Sequence, residues 1–171
     1  MTEQNIIAKY VPNFVTLLSL SSGFTSISFS LNKEWEIAIY LILLATVFDF
    51  FDGWFARKLK SGSNFGAELD SLSDFVSFGV APSILIYLWS TNSLGSLGWG
   101  ATLFFVICSS LRLARFTADI YITNKPIDDN EYFVGIPSPA AAGLVLMPLF
   151  IFFEFNLEFI KNEYLNLFST I

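Results

Sequence analysis

Histidine is absent from the 171 residues. That absence excludes Ser-His-Asp triads, His-ligated zinc and imidazole general bases. Any catalysis has to run on carboxylates, arginine, lysine, tyrosine or hydroxyls. Cysteine occurs once, as Cys108 in an apolar run, which rules out a disulfide framework and a thiolate metal cluster. Charge is scarce too, at 14% of residues against about 25% in soluble domains. A metal bound here would be a hard, oxygen-liking ion. The N-terminal "MTEQNIIAKYVPN" lacks the basic region and small-residue cleavage site of a secretory signal. The first apolar span is therefore expected to stay in the mature protein.

Apolar surface is what the chain has in excess. It is 54% hydrophobic and 18% aromatic, with mean hydropathy +0.60. So small a body cannot hide that much apolar surface from water, so the expected solvent is lipid. A bilayer core of ~30 Å needs about 20 apolar residues of helix. On that scale five spans are expected: Phe14 to Leu31, Glu36 to Phe55, Leu72 to Trp89, Leu97 to Phe116 and Ala140 to Phe155. All must be helices, because lipid offers no partner to unpaired backbone groups. Pro82 is expected to bend the third or to sit where a neighbour compensates. The tail from Asn156 to Ile171 is too short to cross: either the chain ends outside after five spans or it stops within an incomplete sixth. The expected fold is thus an all-α polytopic membrane protein. It is one integral-membrane domain over residues 1–171, five complete transmembrane helices with a sixth cut short.

With the N-terminus inside, Lys9, Arg57, Lys58, Lys60, Arg112, Arg115 and Lys125 fall on the inner side, and only Lys33 and Lys161 outside. The positive-inside rule favours that orientation. It puts the stretch "DFFDGWFARKLKSGSNFGAELDSLSD", Asp49 to Asp74, at the cytoplasmic face. Trp35, Trp54, Trp89 and Trp99 lie near span ends and read as interface anchors. The net charge of -6 is a weak guide to partners, and no nucleic acid is expected.

Asp49 and Asp52 are three apart, Asp70 and Asp74 four apart. On helices either spacing puts both side chains on one face. The connection "KLKSGSN" is short, so the two helix ends must be neighbours. Four carboxylates are then expected to converge near the inner surface. Such anions repel strongly unless a cation balances them. Arg57 could balance one. Oxygen-only ligands point to Mg2+ or Mn2+, singly or as a pair, with bound phosphates completing the shell. Gly53, Ala56 and Gly66 leave room for a bulky ligand beside the acids, and a ligand on Gly53 would meet the guanidinium of Arg57 a turn away. The plainer alternative is a set of solvated acids at a helix end, but ionisable residues at a membrane boundary are functional by default.

At these residues the chain resembles the CDP-alcohol phosphotransferase family: Asp49-x2-Asp52-Gly53-x2-Ala56-Arg57-x8-Gly66-x3-Asp70-x3-Asp74 matches every fixed position of its signature. "LRLARF", Leu111 to Phe116, and "FVGIPSPAAAG", Phe133 to Gly143, look like segments of bacterial and archaeal phosphatidylserine synthases. The resemblance extends from "VPNFVTLLSLSSGF" to the fifth span. It implies transfer of a phosphatidyl group from CDP-diacylglycerol to an alcohol, here the L-serine hydroxyl, with release of CMP. It further implies Asp49, Asp52, Asp70 and Asp74 as ligands of two Mg2+ or Mn2+ ions, with Asp74 also the base. Asp49, Asp52, Gly53, Ala56 and Arg57 would contact the cytidine diphosphate, and Gly66 would keep its cleft open. A homodimer in a prokaryotic inner membrane, with a cytoplasmic site, belongs to the same expectation.

A serine acceptor carries a carboxylate. Arg112 and Arg115, i and i+3 near the inner end of the fourth span, suit it through their planar forks; without that role they mark the membrane boundary or bind lipid phosphates. Ser138, in the turn "GIPSP", is expected to shape the same pocket, or to be part of a plain loop. Three rivals remain at this point. The acceptor could be glycerol 3-phosphate or an inositol phosphate, or the donor an archaeal ether lipid. Clustered intramembrane acids also mark divalent-cation transporters. A prenyl-diphosphate enzyme also binds metal through aspartates, but the chain lacks a DDxxD run.

Overall fold

A computed structural model describes residues 3–59, 63–122, 136–155 and 163–170. The expectations for Lys60, Lys125, Phe133 to Gly135 and Lys161, and for the side chain of Lys9, lie outside the described residues. The described chain is helical throughout: α1 (Glu3–Leu31), α2 (Trp35–Leu59), α3 (Asn64–Asp74), a π turn (Phe75–Val80), α4 (Ala81–Trp89), a short 3-10 turn (Thr91–Leu94), α5 (Ser96–Ile122), α6 (Ser138–Phe155) and α7 (Glu163–Thr170).

Four stretches are long and apolar enough to cross a bilayer: Tyr10–Leu31, Trp35–Leu59, Asn64–Trp89 and Ser96–Ala118. The fifth expected span is the 18-residue α6, about 27 Å long. With eight residues, α7 does not reach across. The all-α membrane architecture is therefore as expected, with longer helices than the hydropathy alone suggests. Amphipathic turns such as Asn64 to Ser71 continue the helices past their apolar runs.

α1 and α2 form an antiparallel hairpin. Its reversal is a Schellman-type stop: Glu34 N–H bonds Phe29 O and Lys33 N–H bonds Ser30 O, with Lys33 in the left-handed region at φ 63°. Small residues set the contact. Ser19 Oγ donates to Ala45 O and Ser26 Oγ to Ala38 O, both at 2.9 Å, and both alanines are fully buried. This is close helix packing of the kind membranes require, where lipid supplies no hydrophobic drive between helices.

The π turn and α4 run through the centre. Phe78, Ala81, Leu85 and Ile86 meet Ile39 and Ile42 of α2 and Val145, Leu146 and Leu149 of α6 in one apolar core. Pro82 lies just past the π turn. Its missing N–H and its ring are met by a longer hydrogen-bond loop ahead of it, Ala81 N–H to Val76 O. Large apolar side chains such as Phe24, Tyr40, Phe50 and Leu111 stay exposed, as lipid-facing positions do. Just past the end of α4, Asn166 of α7 is buried and donates to Ser90 Oγ at 2.7 Å.

Candidate active site

α2 and α3 bring the acids together. One oxygen each of Asp49, Asp70 and Asp74 lie within 4.8 Å of one another. Opposite ligands on one Mg2+ stand ~4.2 Å apart, so the group is close to the size of one ion's shell. Asp52 does not join this trio. Three residues on from Asp49, it is turned by about 60° and displaced by about 4.5 Å along α2. It faces α1, where the Thr16 hydroxyl sits against its carboxylate; Thr16 also bonds Pro12 O at 3.0 Å. Asp52 is only 5% exposed.

The donor set fits a divalent cation. It is all oxygen, and Asp52 Oδ2 and Asp74 Oδ1 are buried without a hydrogen-bond partner. A buried carboxylate oxygen with no donor is a costly arrangement unless a cation answers it. Asp49, Asp70 and Asp74, with Asp52 adjacent, are the residues that would hold it.

Small residues and an arginine adjoin these acids. The space a side chain would occupy on Gly53 is bordered by Arg57 Nη1 at 3.5 Å, so the exposed guanidinium lies over the glycine. Ala56 is half-buried on the same stretch. Gly66, at the start of α3, is closely walled: a Cβ there would stand 3.1 Å from Asn13 Oδ1 and 3.2 Å from Ser63 Oγ. Ser63 caps the helix by accepting from Gly66 N–H at 3.0 Å.

On the far side of Asp74 is a cavity of about 240 Å³, below the roughly 300–1,000 Å³ of drug-sized ligand sites. Its polar end consists of Asp74, Ser109, Arg112 and Ser138; Phe78, Phe105 and Leu113 line the remainder. The Arg112 guanidinium donates to Ser138 Oγ, and the Ser138 hydroxyl lies beside the Asp74 carboxyl. Asp74 is thus shared between the acidic group and the cavity. Arg115 is exposed one turn further along α5 and is not on the cavity wall.

Sequence reasoning missed the wall from α1. Asn13 and Thr16 are a polar i, i+3 pair ahead of an apolar span, which was the available signal. Phe105 and Ser109 of α5 carry no such mark.

A model of the CDP-alcohol phosphatidyltransferase family matches residues 9–169. The chain belongs to that family. Other members align over most of its length. The CDP-diacylglycerol–serine O-phosphatidyltransferase of Mycobacterium leprae is 43% identical over 136 residues, 80% of this chain and 45% of that protein. The protein of the same name from Helicobacter pylori strain J99 is 39% identical over 136 residues, 80% of this chain and 55% of that one. The archaetidylserine synthase of Methanothermobacter thermautotrophicus is 39% identical over 140 residues, covering 77% and 54%. The chain spans about half the length of the curated relatives it matches. Its spans and its family make it an integral membrane protein, and the family is generally dependent on divalent metal.

Proposed function

We propose that the chain transfers the phosphatidyl group of CDP-diacylglycerol to the hydroxyl of L-serine, forming phosphatidylserine and CMP. The observation that carries this reading is Asp74, held between the acidic group and a small cavity bearing Arg112 and Ser138. The relatives named CDP-diacylglycerol–serine O-phosphatidyltransferase support the same acceptor. Arg57 and the open face of Gly53 receive the diphosphate, while the acyl chains stay in the bilayer. Two Mg2+ or Mn2+ ions on Asp49, Asp52, Asp70 and Asp74 would neutralise the diphosphate and stabilise the leaving CMP.

In the cavity Arg112 takes the serine carboxylate in a bidentate grip, and Ser138 fixes the guanidinium. Asp74 accepts the proton of the serine hydroxyl as that oxygen attacks the lipid phosphorus directly. The apolar remainder of the cavity, Phe78, Phe105 and Leu113, disfavours a second phosphate, which argues against glycerol 3-phosphate or an inositol phosphate. Arg115 is left to the membrane boundary. We assign the site to the cytoplasmic face of a prokaryotic inner membrane, on the cation distribution, and the assembly to a homodimer, on the family resemblance.

The test is CMP release from CDP-diacylglycerol by the purified protein, with and without L-serine, in chelator and then with Mg2+ or Mn2+ restored. Release is expected only with serine and metal together. Activity confined to glycerol 3-phosphate would refute the serine assignment, and cation flux into proteoliposomes without CMP release would favour a transporter. A parallel arm with an ether-linked donor follows from the archaetidylserine synthase relative.

A further inference from the structure

The helix that carries Asp70 and Asp74 changes its winding immediately after them. α3 ends at Asp74, the π turn occupies Phe75–Val80, and Ala81 N–H reaches back five residues to Val76 O. Both flanks of the turn are anchored. On one side Phe78, Ala81 and Leu85 are sealed in the core. On the other, Ser73 Oγ donates to Thr16 O and Ser77 Oγ to Ser19 O, each at 3.2 Å. Asp74 and Gly79, five residues apart, line the same cavity. An α-helix would set them about 140° apart around its axis. A π turn takes roughly one residue more to come round, which brings them to one face.

We propose that this π turn is a positioning element for the reaction. Its wide winding absorbs one residue and so sets the rotation of α3 against α4, with Asp70 and Asp74 facing Asp49 while Phe78 and Gly79 of the same run wall the cavity beside them. The inference rests on the functional reading above. Wound as a plain α-helix over the same residues, α3 would turn by about 100° relative to α4. Phe75 then takes the place of Asp74 and Ser71 that of Asp70, and two of the three clustered carboxylates are lost.

The experiment compares insertion of one alanine after Val76 with deletion of Val76 and with Val76→Ala. Val76 lies within the turn and is not among the cavity-lining residues. The substitution keeps the length and removes only the side chain, so Mn2+ affinity, read by titration of the detergent-solubilised protein, and CMP release are expected to hold. The deletion leaves Asp74 four residues before Gly79, on one face of a plain α-helix, and Mn2+ affinity is expected to hold there too. The insertion exceeds what the turn absorbs and is expected to weaken Mn2+ binding by at least about tenfold, through lost carboxylate ligands, and to end CMP release. Equal Mn2+ affinity in the insertion and the substitution overturns the proposal. So does a loss in the deletion equal to that in the insertion, because a helix without a wide turn has no residue to spare.

Full-length cysteine pairs read the geometry even if the length variants do not fold. In a Cys108→Ala background, Asp49→Cys with Asp74→Cys should form a disulfide in membranes, identified by mass spectrometry of the linked peptides. Asp49→Cys with Phe75→Cys should not. The reverse pattern would show an uninterrupted α-helix and overturn the turn's role while leaving the functional reading intact. Failure of the unaltered protein to bind Mn2+ or release CMP would instead remove the functional reading, and the turn's role in it, whatever the cross-links show.

Discussion

Gly23→Ala is the most informative single change, because its effect can be worked from distances. A Cβ on Gly23 would stand 2.3 Å from Ser77 Oγ and 2.6 Å from Ser77 Cα. The side-chain oxygen can swing away, but the backbone carbon cannot. Ordinary contact begins at 3.4 Å, so α1 and the π turn must part by roughly 1 Å in an interior packed as tightly as a crystal. Overpacking of this kind costs about 1–3 kcal/mol. The separation also stretches the Ser73 and Ser77 bonds to α1, already at 3.2 Å. These hydroxyls can turn back to carbonyls of their own helix, so the packing cost dominates. Asp74 lies three residues from Ser77, and a displacement of about 1 Å at reacting groups costs on the order of 100-fold in rate. Gly143→Ala serves as the control, since nothing lies within 4 Å of the added carbon. Thermal unfolding in detergent and steady-state CMP release are the assays. Gly23→Ala should unfold at lower temperature and lose about tenfold to 100-fold in kcat, while Gly143→Ala stays near the unaltered protein. Equal behaviour of the two alanines would refute the close approach on which this reasoning stands.

Asp74→Asn should keep CDP-diacylglycerol binding and lose most of the serine-dependent rate; near-normal turnover would remove it as the base. Asp49→Ala and Asp70→Ala should each weaken Mn2+ binding in equilibrium titration, since each deletes one of three clustered oxygen ligands. Arg112→Lys should raise the KM for serine by about tenfold, through loss of a bidentate grip worth roughly 1.5–3 kcal/mol, whereas Arg115→Lys should change it little. Thr16→Val removes the hydroxyl beside Asp52 with little change in volume, and should lower donor affinity more than serine affinity in initial-rate kinetics.

The fold was largely legible because lipid imposes one rule on every span: helix with an apolar exterior. The cluster was legible because i, i+3 and i, i+4 spacings on two helices joined by a short connection leave little freedom. What escaped depends on how helices turn against one another. Asp52 carries the same sequence mark as Asp49, yet its turn of about 60° around α2 brings it to Thr16, beside the trio and not within it. Asn13 and Thr16 act on residues more than 30 positions away, a separation that periodicity does not see. The run Leu72 to Trp89 reads as one regular span, and only the packing of Pro82 and the α1 carbonyls shows the change of winding within it. Arg112 and Arg115 look equivalent at i, i+3, but one reaches Ser138 and the other does not.

The acids and the glycines beside them draw on helices α1 to α3, within the first 74 residues, whereas the neighbouring cavity takes most of its wall from α5 and α6. Only the short stretch around Asp74 and the π turn belongs to both. On the function proposed above, recognition of the lipid nucleotide and choice of alcohol are encoded in different parts of the gene. Exchange of α5 and α6 is a route by which one scaffold can acquire a new head group while inheriting its leaving-group chemistry unchanged.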